Sequence, residues 1–335
     1  MINRNTIFKL SCIALLLTFM VVVLGAYVRL SGAGLGCPDW PGCYGKMLVP
    51  FEATHLQELY HERPLEHDKA WKEMVHRYAA GVLGLLLFIL AAASWQNRKQ
   101  PQQPLVVPSL LVLLVIFQAL LGMWTVTLLL KPVIVMAHLL GGMTILSLLL
   151  WLTLELGKDP QRIDLNNRRL FPWALAGLIM VSLQISLGGW TSANYAALVC
   201  PDFPKCQGMW WPEMDFKEGF IFWRELGVDY EGGVLHGDAR TAIHMAHRIG
   251  AVFTALIAGG AALLSIADRN KSIAAIGIAI LIILLAQFGL GVANVLMRLP
   301  LPLAVTHNAV AALLLLSLVA LLHQSYIPGI KRRKF

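Results

Sequence analysis

Charged side chains are scarce in this sequence. Asp, Glu, Lys and Arg make up 14% of the 335 residues, and 57% of the residues are hydrophobic, whereas soluble domains carry about 25% charged residues. This composition excludes an ordinary soluble domain and indicates a protein of the lipid bilayer. The formal net charge of +8 calls for no nucleic-acid partner, because the basic residues cluster in loops beside apolar runs, where they face water and anionic lipid headgroups.

Eight apolar runs of about 20 residues are each long enough to cross a hydrocarbon core of about 30 Å as a helix. They cover 8–28, 74–94, 105–127, 133–153, 171–191, 242–266, 272–296 and 302–323. The first run is too long for the core of a signal peptide and continues into Arg29 instead of a small-residue cleavage site, so we interpret it as a span. Basic residues dominate the loops on the side of both termini, which predicts cytoplasmic N and C termini.

The sequence contains the same module twice. The segment LGAYVRLSGAGLGCPDWPGC at 24–43 recurs without a gap as LGGWTSANYAALVCPDFPKC at 187–206. Further matches pair EMVHR (73–77) with HMAHR (244–248), and Gln118, Gly122 and His138 with Gln287, Gly291 and His307. Repeats of this size indicate a duplicated bundle. We therefore predict an all-α integral membrane protein with eight transmembrane helices in two tandem pseudo-symmetric four-helix bundles, at 1–153 and 171–335, joined by a cytoplasmic linker at 154–170.

Four histidines lie inside the spans, near the ends that adjoin the long loops: His76, His138, His247 and His307. Two imidazoles on facing helices of a four-helix bundle suit axial ligation of haem iron. Zinc would need more ligands than the spans offer. A single intramembrane histidine is often a hydrogen-bonded core residue, but two matched pairs favour metal ligation. We expect His76 and His247 to lie within about one turn of the starts of their helices.

Arg77 and Arg248 directly follow two of these histidines. A guanidinium at this depth can pair with a haem propionate, or it can anchor the helix by reaching the lipid headgroups. The two copies differ three residues before the histidine, where the first has Glu73 and the second has His244. We expect the carboxyl group of Glu73 either to handle protons beside a haem site or to form a salt bridge with Arg77.

Four of the five cysteines form two C-x5-C pairs in the long loops: Cys37 with Cys43, and Cys200 with Cys206. Because these loops are predicted to face an oxidising compartment, we expect a disulfide in each. A zinc site shared by the four thiolates is the alternative, although its ligand spacing would be unusual. The pairs can be structural staples, or the first pair can exchange electrons.

Six motifs together resemble haem A synthase: RLSGAGLGCPDWPGCYG (29–45), EMVHR (73–77), AHLLGG (137–142), HMAHR (244–248), QFGLGVANVL (287–296) and THN (306–308). The similarity extends over nearly the whole chain. Members of this family are membrane oxidoreductases that convert haem O to haem A for cytochrome oxidase. The resemblance implies a substrate haem O site in the N-terminal half and a haem b cofactor in the C-terminal half.

By matching position, the resemblance implies that His247 and His307 ligate the iron of haem b. It implies that His76 and His138 line the haem O site and ligate its iron, with Glu73 as the essential carboxylate beside them. The reaction it implies is oxidation of the C8 methyl group of haem O to a formyl group. Expected partners are haem O synthase and cytochrome oxidase assembly factors, and homo-oligomers are left open. The sequence begins without a recognisable transit peptide, which favours a bacterial cytoplasmic membrane over a mitochondrion.

Two other functions stay open at this point. A di-haem b, quinol-linked membrane cytochrome would carry electrons through two equivalent sites, and it would not need the difference between Glu73 and His244. A haem transporter or chaperone would bind haem weakly and release it.

Overall fold

The computed structural model describes residues 3–51, 63–100, 102–157 and 169–326. Eight helices in these ranges are long and apolar enough to cross a membrane, and the regular structure there is helical apart from two isolated β-bridges. The long helices are α1 (Arg4–Leu30), α2 (His67–Gln96), α3 (Val106–Thr127), α4 (Pro132–Gly157), α5 (Phe171–Ala193), α7 (Gly237–Ile266), α8 (Lys271–Leu296) and α9 (Leu301–Ser325). A single turn, α6 (Phe216–Gly219), lies between α5 and α7. The predicted all-α class and the eight spans are confirmed.

Two helices begin well before their predicted starts. α2 begins at His67 and α7 at Gly237, because their first turns are polar and carry no hydropathy signal. Each has 30 residues, which at 1.5 Å per residue gives about 45 Å, longer than a hydrocarbon core of about 30 Å. The expectation that His76 and His247 lie within one turn of the helix starts is therefore wrong, since both lie about two and a half turns in.

The helices pack in two closed groups. In the first, α1 contacts α2 and α4, and α3 contacts the same two helices. In the second, α5 contacts α7 and α9, and α8 contacts the same two helices. The groups meet where α1 and α4 pack on α9, and where α4 packs on α5. Each group has its own apolar core, one around Leu87 and Leu149 and the other around Ile280 and Leu318.

The loops after α1 and α5, in their described parts at 31–51, 63–66 and 194–236, lie at one end of the bundle, which we call the loop face. The two loops contact each other through Arg63, which pairs with Asp229 and Glu231. The second loop also contacts Lys131, just before α4. Lys131 donates to the carbonyl oxygen of Arg224 at 2.6 Å, and its ammonium lies over the ring of Trp223. The second loop contains the short helix α6. Most of the predicted linker at 154–170 lies outside the described residues, and α4 continues to Gly157.

The four helices that end at the loop face stop in the same way. Each is followed by a residue with positive φ: Gly32 (65°), Leu129 (48°), Tyr195 (53°) and Arg298 (59°). The next amide then donates to a carbonyl in the last turn, as from Ala33 to Val28 and from Ala196 to Thr191. This is the Schellman geometry, in which glycine is the usual residue at the left-handed position. At that position the first repeat has Gly32 and the second has Tyr195.

Candidate functional site

A cavity of about 1550 Å³ lies between the two helix groups and opens on side chains from both. Its lining includes His76, His138, His247 and His307. A cavity of about 300–1,000 Å³ holds one drug-sized ligand, so this space exceeds the needs of a single such molecule. All four histidines singled out from the sequence therefore line one cavity.

The first pair of imidazoles faces across the first helix group. The ring centroids of His76 on α2 and His138 on α4 are 6.5 Å apart, and the ring planes are at 77°. Both Nδ1 atoms are buried, with no hydrogen-bond partner in the described parts of the chain. Gln118 on α3 donates to the backbone carbonyl of His138 at 2.5 Å and not to its ring. Both rings thus have nitrogen atoms free for a ligand.

The second pair is held by side-chain amides. Nε2 of Gln184 on α5 lies 3.1 Å from Nδ1 of His247 and donates to the carbonyl oxygen of the same residue at 2.9 Å. Nε2 of Gln287 on α8 lies 3.1 Å from Nε2 of His307. In both contacts the amide nitrogen is the donor and the ring nitrogen the acceptor, and the contact fixes the orientation of the imidazole. The two pairs therefore differ in how firmly their rings are fixed.

Two positions near His247 explain why its ring contacts an amide and that of His76 does not. In the second repeat a Cβ on Gly250 would lie 2.4 Å from Oε1 of Gln184, so the glutamine fits only because residue 250 lacks a side chain. By the alignment of the repeats, the first repeat has Val21 in place of Gln184 and Ala79 in place of Gly250. The amide and the space it occupies are thus both missing beside His76.

Each of the four imidazoles packs against a glycine of a neighbouring helix. A Cβ on Gly25, Gly122, Gly188 or Gly291 would lie 3.0, 3.3, 3.2 or 3.2 Å from Cε1 of His76, His138, His247 or His307, respectively. These distances are shorter than ordinary carbon contacts of about 3.5–4.0 Å. The glycines therefore allow each ring to contact the backbone of the neighbouring helix, and any other residue at these positions would have to displace the ring.

Glu73 connects the first pair to the first disulfide loop. The residue is 5% exposed and lines the cavity. Its Oε2 accepts a hydrogen bond from the backbone amide of Cys37 at 2.9 Å, and its Oε1 forms a salt bridge with Arg77. Arg77 also donates to the carbonyl of Asp39 at 2.9 Å and to that of Gly42. The salt bridge expected as one alternative for Glu73 is present.

The second copy has the same arrangement without a carboxylate. Nε of Arg248 donates to Nε2 of His244 at 3.2 Å. The other guanidinium nitrogens donate to the carbonyl oxygens of Cys200, Asp202 and Lys205 at 3.2, 2.8 and 2.8 Å. In both copies the arginine after the histidine thus binds the backbone of a disulfide loop. Sequence reasoning missed this role: it offered a haem propionate or the lipid headgroups as partners of Arg77 and Arg248, and both alternatives stay predictions.

The cysteine pairs are joined as Cys37–Cys43 and Cys200–Cys206. No group of three or more His, Cys, Asp or Glu in the described residues could hold a metal ion, so the zinc alternative is wrong. In each disulfide loop the aspartate of the Cys-Pro-Asp sequence accepts hydrogen bonds from two successive backbone amides. For Asp202 these are Gln207 and Gly208, at 2.6 and 2.8 Å, and the hydrogen bond from Gly208, followed by that from Gln207, lowers the pKa of Asp202.

These observations define a class: a multi-pass membrane protein with two pairs of intramembrane histidines around one cavity. The chain belongs to the family of cytochrome oxidase assembly proteins (COX15-CtaA), whose family model matches residues 9–319. It is 46% identical over 319 residues to a protein named heme A synthase from Shewanella oneidensis, covering 92% of this chain and 93% of the relative. A protein of the same name from Caulobacter vibrioides is 27% identical over 326 residues, covering 89% and 90%. The resemblance seen in the sequence motifs is confirmed.

Proposed function

We propose that this protein is a haem A synthase, a membrane oxidoreductase that oxidises the C8 methyl group of haem O to a formyl group with a bound haem b. The observation that carries the proposal is the presence of two histidine pairs on one cavity. Membership of the family and the name of the 46% identical relative support the same reaction.

The residues around the cavity fit two porphyrins. A centroid separation of 6.5 Å between His76 and His138 leaves room for one metal ion between the rings, since bonds from metal to imidazole are about 2 Å long. Buried Nδ1 atoms of His76, His138 and His307 have no partner among the described residues, and such atoms are costly unless a ligand or water satisfies them. The apolar walls suit the macrocycles and the farnesyl tail of haem O.

The two helix groups support a division into tandem, pseudo-symmetric four-helix halves at 1–153 and 171–335. The halves repeat the helix contacts, the glycine under each imidazole and the arginine on each disulfide loop. They differ at the amide of Gln184 and at Glu73. A duplicated framework with a few altered side chains fits one resident cofactor and one exchanging substrate.

We assign the resident haem b to His247 and His307, and haem O to His76 and His138. The side-chain amides at His247 and His307 support this assignment, because a permanent cofactor gains from fixed ligands. The rings of the first pair lack such amides, which suits a substrate that must enter and leave as product.

Glu73 is the group beside the substrate that can take up protons. Haem b held by His247 and His307 would supply one-electron transfer. The salt bridge to Arg77 and the amide of Cys37 fix the carboxylate of Glu73 at the cavity wall, three residues before His76. From that position it can accept the protons that leave the methyl group during its oxidation.

Basic residues at the helix ends opposite the loop face, such as Arg4, Arg98 and Arg269, support cytoplasmic termini in a bacterial inner membrane. The loop face, with its disulfides, then lies in the oxidising compartment outside. Delivery of haem O by haem O synthase and transfer of haem A to cytochrome oxidase assembly factors would complete the reaction sequence. Homo-oligomers are compatible with this arrangement.

Two tests separate this function from a di-haem cytochrome and from a haem transporter. Haems extracted from protein co-expressed with a haem O source should include haem A and hydroxylated haem O on chromatography. Haem b alone would indicate an electron carrier, and loosely held haem of mixed type a transporter. The differences at Glu73 and Gln184 argue against two equivalent electron-transfer sites.

Glu73→Gln tests the role of the carboxylate. Glutamine has nearly the same size and can still accept the hydrogen bond of Cys37, but it cannot take up a proton from substrate. We expect normal haem b content and a loss of haem A formation of about 10²–10⁴-fold, measured by chromatography of extracted haems. Glu66→Gln is the control, since Glu66 is exposed and its ion-pair partner among the described residues is Lys69. Normal haem A yield from Glu73→Gln would remove this residue from the mechanism.

A further inference from the structure

Arg29, in the last turn of α1, is a cavity-lining cation without a carboxylate partner. Its Nη2 donates to the carbonyl oxygen of Ser192 at 2.7 Å, and its Nη1 donates to the hydroxyl of Tyr195 at 3.0 Å. The guanidinium carbon lies 4.4 Å from the centroid of the Tyr195 ring. Its Nε is buried without a hydrogen-bond partner, and none of the described carboxylates pairs with it. A half-buried guanidinium whose Nε is fully buried with a free donor calls for an anion.

Arg29 and its partner Ser192 each follow, by one helical turn, a glycine that packs on a histidine ring. Gly25, which packs on the ring of His76, precedes Arg29 by one turn on the same face of α1. Gly188, which packs on the ring of His247, precedes Ser192 by the same spacing on α5. Arg29 therefore lies about one helical turn, roughly 5.4 Å, closer to the loop face than either imidazole. It is placed at the junction of the two halves, within reach of the edge of a macrocycle in either site.

The side chain of Tyr195 distinguishes the two repeats at this contact. Tyr195 has a φ of 53°, and its counterpart in the first repeat is Gly32, with a φ of 65°. Both residues occupy the left-handed position that ends their helices. Tyr195 places a phenol against Arg29 at this position, and glycine could not do so.

The other arginines on the cavity are already occupied. Arg77 donates to loop carbonyls and to Glu73, and Arg248 donates to loop carbonyls and to His244. Among the described residues that line the cavity, Arg29 is the remaining arginine.

We propose that Arg29 and Tyr195 form a carboxylate site at the junction of the halves, and that this site binds a porphyrin propionate. The inference rests on the proposed function, since it requires that the cavity binds haem. The carboxylate can belong to haem b or to haem O, which share this chemistry. Arg29 then positions the porphyrin through its edge, and the histidines hold its metal.

The test compares each free-acid haem with its dimethyl ester, which has the same macrocycle but no carboxylate. Haem-depleted protein is titrated with haem b and its ester in one arm, and with haem O and its ester in the other, and binding is followed by absorbance. We expect wild-type protein to bind at least one free acid at least tenfold more tightly than its ester. Arg29→Gln should abolish that preference, and the arm in which it disappears identifies the haem concerned.

Two further variants keep the test decisive if Arg29→Gln folds poorly. Tyr195→Phe retains the ring and loses the hydroxyl that orients Arg29, so the preference for the free acid should fall but not vanish. Arg63→Gln breaks another contact between the halves outside the cavity lining, and it should keep the full preference. Equal affinity of wild-type protein for acid and ester in both arms, or a preference that persists in Arg29→Gln, would overturn the proposal. A wild-type protein that binds neither haem would instead refute the proposed function.

Discussion

Gln184→Val replaces the amide that holds His247 by the residue found at the equivalent position of the first repeat. The variant loses a 3.1 Å contact to the ring and a 2.9 Å hydrogen bond to the carbonyl of His247. At about 0.5–1.5 kcal/mol for each net hydrogen bond, the loss is about 1–3 kcal/mol. That corresponds to a weakening of haem b binding by roughly 5–150-fold, since about 1.4 kcal/mol is a factor of ten. Substitution of groups that hydrogen-bond to a metal ligand typically costs about 10–100-fold.

The assay is the transfer of haem b from purified protein to an excess of a soluble haem scavenger, followed by the reduced-minus-oxidised absorbance. Ser186→Val is the matched control, because Ser186 lies on the same helix, bonds only to its own helix at Ser182, and aligns with Val23. Gly250→Ala offers a second route to the same defect, since its methyl group would displace the amide of Gln184. Haem retention by Gln184→Val equal to that of Ser186→Val would refute the assignment of Gln184 as a positioning residue.

Two other outcomes follow from contacts at single positions. Gly291→Ala should weaken haem b binding, because the new methyl group would lie 3.2 Å from the ring of His307. Gly289→Ala on the same helix is the control, since its methyl group meets nothing within 4 Å, and it should leave haem content unchanged. Equal haem content in both variants would contradict the packing argument. The lowered pKa of Asp202 predicts that its hydrogen bonds stabilise the second loop above the unfolded pKa of about 3.9 and are lost as pH falls through the folded value. A smaller protection factor for hydrogen exchange at the Gly208 amide at low pH, relative to the intrinsic rate at each pH, would show this, and Asp202→Asn should remove the pH dependence.

The helices, the cysteine pairs and the histidine positions could be predicted because each leaves a local signal. Long apolar runs identify spans, and the aligned repeat brings equivalent histidines and cysteines into view. The starts of α2 and α7 could not be placed, because their polar first turns continue the helix beyond the apolar layer. Helical hydrogen bonding does not depend on hydropathy, so a hydropathy window places the starts of these helices too late in the chain.

The residues that sequence reasoning missed fall into two kinds. Gly25 and Gly188 occur at the same place in both copies of the first repeat, so their signal was available, but a glycine in a span does not show which ring it faces. Gln184 and Arg29 left no such signal in the repeat, because their counterparts in the other copy are different residues, Val21 and Ser192. A search for matched positions passes over such residues, and their contacts depend on packing between helices that are far apart in sequence.

The shared cavity makes the order of loading matter. If His247 and His307 hold a macrocycle as proposed, it would form part of the wall that the other ligand meets, and the second pocket would acquire its final shape only after the first is filled. Affinity for the incoming ligand should therefore depend on how completely the preparation was loaded beforehand, and titrations on partly filled samples would report a mixture of two different receptors.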